Sequence, residues 1–363
     1  MNIAILGTRG IPNHYGGFEQ FAEYLSIGLV HKGHKVVVYN SHNHPFQEAS
    51  YEGVELIHAY DPEYKIGTAG QFIYDLNCIR NLKKHNFDIV LQLGYTSSSV
   101  WGKLLPKKPL IITNMDGLEW KRSKFSGKVQ WYLKNAERWA VNTSDYWVAD
   151  SVGIQQHLKT NYNIESEYIP YGAEVFVQIE ETCLADYKLK AFQYNMLVAR
   201  LEPENNIEMI LDGHKQSYSE LPFIVIGKHE TTYGEFLKEK YKAVDNIYFI
   251  GGVYDQNVLS NIRFHCNLYF HGHSVGGTNP SLLEAMACNT YICAHDNIFN
   301  KSILGEDASY FKSATDVAKI LNSDIADQTA AKNNNIKKIK ELYSWETIVN
   351  QYESLFQRLL KKQ

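Results

Sequence analysis

The chain has 363 residues, 44% of them hydrophobic and 21% charged, with a formal net charge of -4; the length predicts two domains, and the charge balance carries no signature of nucleic-acid binding. Five scattered cysteines with no CxxC pair argue against a disulfide framework and a thiolate zinc site. No apolar run approaches the ~18 residues that span a bilayer, and "MNIAILGTRG" reads as a strand rather than a signal peptide, so the expected setting is cytoplasmic.

Short β-branched runs alternate with amphipathic stretches along the whole chain. In the first half "NIAILG", "KVVVYN", "VELIHA", "FDIVLQLG", "PLIITN" and "YWVAD" read as strands, with helices expected over Gly17–His31 and 71–84. In the second half "YNMLVAR", "PFIVIG", "NIYFIGG", "NLYFHG" and "TYICAH" repeat the rhythm. The alternation predicts an α/β protein of two doubly wound, Rossmann-like parallel sheets, and the apolar runs fit strands buried on both faces. The boundary falls in "YIPYGAEVF" (168–176), which carries a proline and a glycine and leads into a polar stretch. The expected domains are therefore 1–172 and 173–344. A final helix spans 345–363, with Ile348, Tyr352, Leu355, Phe356 and Leu359 on one face.

Three stretches carry chemistry. The first strand runs into "GTRGIPNHYGGFEQFAEYL", where four glycines, Arg9 and Glu19 surround a strand-to-helix turn. Ligands of open α/β sheets bind at the carboxyl ends of strands. Gly16 and Gly17 would let backbone N–H groups approach such a ligand. The spacing is not GxGxxG, so the dinucleotide fingerprint of dehydrogenases is missing. In "LVARLEPENNIEMIL" and "VIGKHE", Arg200 and Lys228 follow successive strands and point to one anionic ligand. In "HGHSVGGTNPSLLEAMACN", Asn279 is a good helix N-cap and Pro280 fits the first turn. The N–H groups of Gly277, Thr278, Ser281 and Leu282 are expected to cradle a diphosphate. Glu284 sits one turn further on among apolar neighbours, placed to accept hydrogen bonds from neutral hydroxyls such as those of a ribose.

Together "ARLEPENN", "VIGKHE" and "GGTNPSLLEAMACN" resemble the nucleotide-sugar site of family 4 glycosyltransferases of the GT-B fold. "GTRGIPNHYGGFE" resembles a bacterial subgroup containing rhamnosyltransferases of polysaccharide assembly. The resemblance covers essentially the whole chain. It implies two Rossmann-like domains facing across a cleft, with a dTDP- or UDP-sugar on the C-terminal side and a glycan or lipid-linked saccharide acceptor on the N-terminal side. Retention at the anomeric carbon is implied as well, without metal or cofactor, and with L-rhamnose as the sugar of that subgroup. The tail helix would cross back onto the first domain. Arg200 and the residue at Asn205, usually lysine, would lie by the diphosphate, with Lys228 supplying the missing cation, and Glu284 would bind ribose. Two departures stand out. Gly276 replaces a glutamate that many relatives use on the donor sugar, for which His273 is a candidate substitute. Asp116, in "ITNMDGLEWKR", replaces a histidine near the reacting sugar and is expected to act as base or orienter on the acceptor hydroxyl. The catalytic candidates are thus Asp116, Arg200 and Lys228, with Arg9, Glu19 and Asp116 on the acceptor side.

Residues 103–138 hold nine Lys/Arg against three Asp/Glu, a balance of nine minus three, or +6, interleaved with aromatic residues. That pattern suits an anionic membrane surface on the inner face of the plasma membrane, or equally a solvated helix face over a core stripe. Two rival readings stay open. A non-hydrolysing sugar-nucleotide epimerase would share the architecture and need no acceptor, and a non-catalytic binding module would hold the nucleotide sugar without transferring it.

Overall fold

The computed structural model describes residues 1–122, 125–323 and 328–362. The chain divides into two compact units. The first gathers Met1–Lys121, Phe125–Tyr171 and Trp345–Gln363, and the second centres on Gly172–Ser344.

The first unit carries strands β1 (Asn2–Leu6), β2 (Lys35–Ser41), β3 (Ser50–Tyr51), β4 (Val54–Ala59), β5 (Ile89–Leu93), β6 (Leu110–Asn114), β7 (Tyr146–Ala149) and β8 (Glu167–Tyr168). Its helices are α1 (Gly17–His31), α2 (Glu63–Ile66), α3 (Ala69–Leu82), α4 (Gly127–Thr143) and α5 (Val152–Tyr162). The sheet order is β3-β4-β2-β1-β5-β6-β7-β8, and every pairing is parallel except the short β3–β4 hairpin. β5 and β6 are buried along their whole length, which fits their largely apolar sequences, and the buried Gln92 of β5 donates to Thr113 of β6 at 3.1 Å. The chain leaves β1 toward β2 and later returns to β5 on the other side. This reversal opens a crevice at the carboxyl ends of β1 and β5.

The second unit has a six-stranded, all-parallel sheet built from β9 (Asn195–Val198), β10 (Phe223–Ile226), β11 (Ile247–Gly251), β12 (Leu268–His271), β13 (Ile292–His295) and β14 (Ser309–Phe311). The order β11-β10-β9-β12-β13-β14 puts the reversal between β9 and β12. Helices α6 (Ile207–Gln216), α7 (Thr232–Tyr241), α8 (Gln256–Phe264), α9 (Pro280–Ala287), α10 (Ile298–Leu304), α11 (Ala314–Asn322) and α12 (Thr329–Lys338) complete it. One core cluster joins Leu197, Ile210, Phe223, Phe270 and Val317 from strands and helices. Both sheets therefore present a topological switch point at the ends of their central strands.

The tail helix α13 (Trp345–Leu360) belongs to the first unit. It buries Trp345, Ile348, Val349, Tyr352, Leu355, Phe356 and Leu359, each worth roughly 1.5–3 kcal/mol when fully removed from water. Trp345 stacks on Tyr24 at 4.5 Å, and Tyr352 meets Phe21 edge-on at 5.5 Å. Gly28 of α1 lets Val349 approach, since a Cβ there would lie 2.5 Å from its Cγ2. Among the described residues no helix is long and apolar enough to cross a membrane.

Candidate active site

In the second unit, the loop after β9 and the loop after β12 interlock at the switch point. The Asn205 side chain donates to the Arg200 carbonyl at 2.7 Å, so its Oδ1 is the acceptor facing His273 Nδ1 at 2.9 Å. That assigns the ring proton to Nδ1 and leaves Nε2 with a bare lone pair. Burial, reinforced by the Arg122 and Arg200 guanidinium groups, pushes the His273 pKa down to about 3, so the ring is neutral. Gly272 makes the interlock possible, because a Cβ there would lie 2.0 Å from the Asn205 carbonyl oxygen.

His273 also explains the glycine at 276. Gly276 has φ +125°, and a Cβ would lie 3.1 Å from His273 Nε2. The imidazole thus points toward the spot from which a side chain at 276 would start. Beside it, Ala199 donates to the Ile226 carbonyl at 3.0 Å, so Arg200 and Lys228 emerge from paired backbones. Both side chains are exposed, and neither is tied to a carboxylate by a hydrogen bond or close ion pair among the described residues, although Lys228 acts through charge on nearby Glu230. Two exposed cations at a switch point are the combination that an anion site requires.

The start of α9 corrects part of the expected cradle. Asn279 Oδ1 caps the Ser281 N–H at 2.9 Å, and the Leu282 N–H reaches the Asn279 carbonyl at 3.0 Å. Ser281 and Leu282 therefore spend their N–H groups inside the helix rather than offering them to a ligand. Of the expected cradle, Gly277 and Thr278 are the residues that this cap does not involve. Ser281 turns its hydroxyl inward, to Tyr269 at 2.8 Å and Arg263 at 3.1 Å.

Glu284 is held from below. Arg263 of α8 is 1% exposed and places Nη2 2.7 Å from Glu284 Oε2, while the Glu284 side chain keeps 24% exposure. A carboxylate in an apolar helix is thus explained by a buried cation that the sequence analysis did not single out. Its signal was present: Arg263 lies on the same buried stripe of α8 as Leu259 and Ile262.

In the first unit, most of the expected polar residues are already engaged. Arg9 makes a paired contact to Glu63, at 3.0 Å from Nε and 2.7 Å from Nη2, and covers the Tyr15 ring at 3.8 Å. Burial works against it, yet Arg9 holds Glu63 below the usual carboxylate range. Glu19 is buried and accepts the Arg9 backbone N–H at 2.9 Å, with Gly16 beside it. Gly17 opens α1. Asn40, not anticipated, clips both backbone groups of Ile11, donating at 2.8 Å and accepting at 3.1 Å.

Asp116 is half-buried just beyond β6. The loop that follows is anchored on Glu137, also not anticipated. This buried carboxylate accepts from Trp120 at 3.2 Å, Tyr95 at 3.3 Å, Tyr162 at 2.6 Å and His157 at 2.9 Å. Tyr95 also donates to the Gly117 carbonyl at 3.2 Å. Burial favours protonation of Glu137, but these donors hold it below its ordinary range.

The basic stretch divides between core and surface. β6 is buried, whereas α4 exposes Lys128, Trp131, Lys134 and Arg138, with Trp131 68% exposed. Lys124 lies outside the described residues. Among the described residues no group of three His, Cys, Asp or Glu is placed to hold a metal ion.

Comparison with known proteins places these observations. Residues 1–174 match the model described as a domain of unknown function (DUF1972), and residues 191–341 match glycosyl transferases group 1. An uncharacterized glycosyltransferase, MJ1069, of Methanocaldococcus jannaschii is 27% identical over 322 residues, covering 77% of each chain. Among solved structures, a sucrose-phosphate synthase from Thermosynechococcus elongatus superposes with a TM-score of 0.80 at 17% identity over 100% of both chains. HepE of Anabaena, solved with UDP and glucose, gives 0.75 at 15% identity, covering 98% of this chain and 99% of that one. These relatives do not favour a sugar-nucleotide epimerase or a non-catalytic binding module. The chain has the α/β fold of GT-B glycosyltransferases, residues 191–341 of its second unit match the glycosyl transferases group 1 model, and the matches support a glycosyltransferase.

Proposed function

We propose that this protein is a retaining glycosyltransferase that moves a sugar, L-rhamnose, from a dTDP- or UDP-sugar to a glycan or lipid-linked saccharide in cell-surface polysaccharide synthesis. The observation that carries the donor site is the pairing of two exposed cations, Arg200 and Lys228, with a partly exposed carboxylate, Glu284, around one switch point. UDP and glucose in HepE support a nucleotide-sugar ligand for this fold. The sugar assignment rests on the N-terminal motif.

Arg200, Lys228 and the Gly277–Thr278–Asn279 turn stabilise the charge that grows on the departing diphosphate. Glu284 accepts from the pentose, and the bare Nε2 of His273 accepts from a sugar hydroxyl where relatives use a carboxylate. Gly16 and Gly17 are assigned to the donor as well, and Arg9, Glu19 and Asp116 to the acceptor. The bond from the anomeric carbon to the diphosphate oxygen breaks through an oxocarbenium-like state, and the acceptor oxygen bonds to that carbon on the same face. Asp116 accepts the hydrogen bond of the attacking hydroxyl, whose proton passes to the Asp116 carboxylate or to the departing diphosphate oxygen as the new bond forms. No metal is assigned a role. The exposed Lys128, Trp131, Lys134 and Arg138 face of α4 supports docking on an anionic lipid surface, where a lipid-linked acceptor resides.

The test is a panel of dTDP-, UDP- and GDP-sugars against lipid-linked saccharides, with the product linkage determined. Transfer with retained configuration from one of the first two classes is expected. Donor consumption to an epimer without acceptor would overturn the proposal.

A further inference from the structure

Arg263 does more than fill the core. At 1% exposure it is among the most deeply buried cations a protein can hold, and burying such a charge costs several kcal/mol unless it is paired. Its Nη2 meets Glu284 Oε2 at 2.7 Å and Ser281 Oγ at 3.1 Å, while Nε and Nη1 have no hydrogen-bond partner. Tyr269, itself buried, fixes the Ser281 hydroxyl at 2.8 Å. A chain of contacts thus runs Tyr269–Ser281–Arg263–Glu284 under one face of α9. It ties one oxygen, Oε2, of a carboxylate whose side chain keeps 24% exposure.

A glutamate on a helix surface otherwise samples several rotamers, and ordering it on binding costs up to about 2 kcal/mol. A group ordered before the ligand arrives avoids that loss. A core staple between α8 and α9 would need no exposed carboxylate, since apolar packing of the same volume is often as stable.

We infer that Arg263 is a positioning residue for donor recognition: from beneath α9 it fixes the Glu284 carboxylate in the rotamer that receives the pentose hydroxyls of the nucleotide. The inference rests on the proposed ribose role of Glu284. It assigns nucleotide affinity to a side chain that touches no ligand.

The test compares UDP with 2′,3′-dideoxyuridine diphosphate, or dTDP with its 3′-deoxy counterpart, by calorimetry on wild type, Arg263→Met, Glu284→Gln and the double variant. Wild type should prefer the hydroxylated nucleotide by ~10-fold or more. Arg263→Met should bring that ratio to within about threefold of unity, and adding Glu284→Gln should change it little further. A purely structural role would weaken both nucleotides equally and leave the ratio intact, which would overturn the inference. If Arg263→Met does not fold, Arg263→Lys gives the same readout. A lysine is shorter, so its ammonium is set back from the Nη2 position that meets both Ser281 Oγ and Glu284 Oε2; the ratio should drop at least threefold, and an unchanged ratio overturns the inference. The two levels separate cleanly. A wild type indifferent to the hydroxyls removes the ribose role of Glu284, and the inference with it. A ratio lost in Glu284→Gln but kept in Arg263→Met removes the inference alone.

Discussion

The two switch points are built from the same topology and filled with opposite chemistry. Beyond β1 and β5, the charged groups are already engaged with one another or with the backbone. Arg9 is matched by Glu63, Glu19 by the Arg9 backbone, and Gln71 adds a donor to Glu63 at 2.9 Å. Beyond β9 and β10, Arg200 and Lys228 stand exposed, with no hydrogen bond or close ion pair to a carboxylate among the described residues. On the proposed function, the fold offers two similar crevices that differ in how far their polar groups are already engaged, the first assigned to neutral hydroxyls and the second to a diphosphate.

Removing the exposed cations should have the largest effect. Arg200→Ala should lower transfer by ~10²–10³-fold, as expected when a donor to developing charge is removed. Lys228→Ala should act in the same direction, and kcat should suffer more than acceptor KM in steady-state kinetics. Activity near wild type in both would mean the diphosphate lies elsewhere. In the first unit, Asp116→Asn should cut transfer by ~10²-fold while donor affinity persists, because the change keeps size and removes charge. Near-normal transfer would reduce Asp116 to a turn residue and move the search to Glu19, His14 or the donor phosphate.

Glu284→Ala should weaken donor binding by roughly 1.5–3 kcal/mol, the worth of hydrogen bonds to a charged group. Unchanged affinity with an intact fold contradicts the ribose role. A smaller effect sharpens the contrast through His273. Its folded pKa of about 3 lies below the unfolded value near 6.5, so between those limits the unfolded state binds the extra proton. Stability at this site therefore falls as pH drops from about 6.5 toward about 3. His273→Gln should flatten that limb in denaturant titrations, and an unaltered pH dependence would show that the ring is protonated in the native state.

The sequence made some of this legible for identifiable reasons. The helix Gly17–His31 appears with the expected bounds, and the tail helix expected over 345–363 runs Trp345–Leu360, since each has one continuous apolar face. The helix read as 71–84 runs Ala69–Leu82, a shift at its ends only. The strands β3, β8 and β14, two or three residues each, left no run long enough to read. Local placements were legible, as with the Asn279 cap, the Arg200 and Lys228 strand ends, and a glutamate inside an apolar helix. Contacts were hidden when the partner was distant in sequence. Arg263 finds Glu284 on the next helix, Glu137 gathers donors from three segments, and Asn40 reaches back to Ile11. Ser281 and Leu282 show a subtler limit. The asparagine that announced the helix start also absorbs the N–H groups assigned to the ligand.

The most direct test of the account is the affinity of the protein for UDP or dTDP measured against the corresponding nucleoside, in wild type and in an Arg200→Ala/Lys228→Ala variant. The exposed cation pair at the second switch point predicts that wild type binds the diphosphate at least ~10²-fold more tightly than the nucleoside, and that the variant loses most of that preference. Equal binding of nucleoside and nucleotide by wild type, or a preference that survives the double substitution, would contradict it.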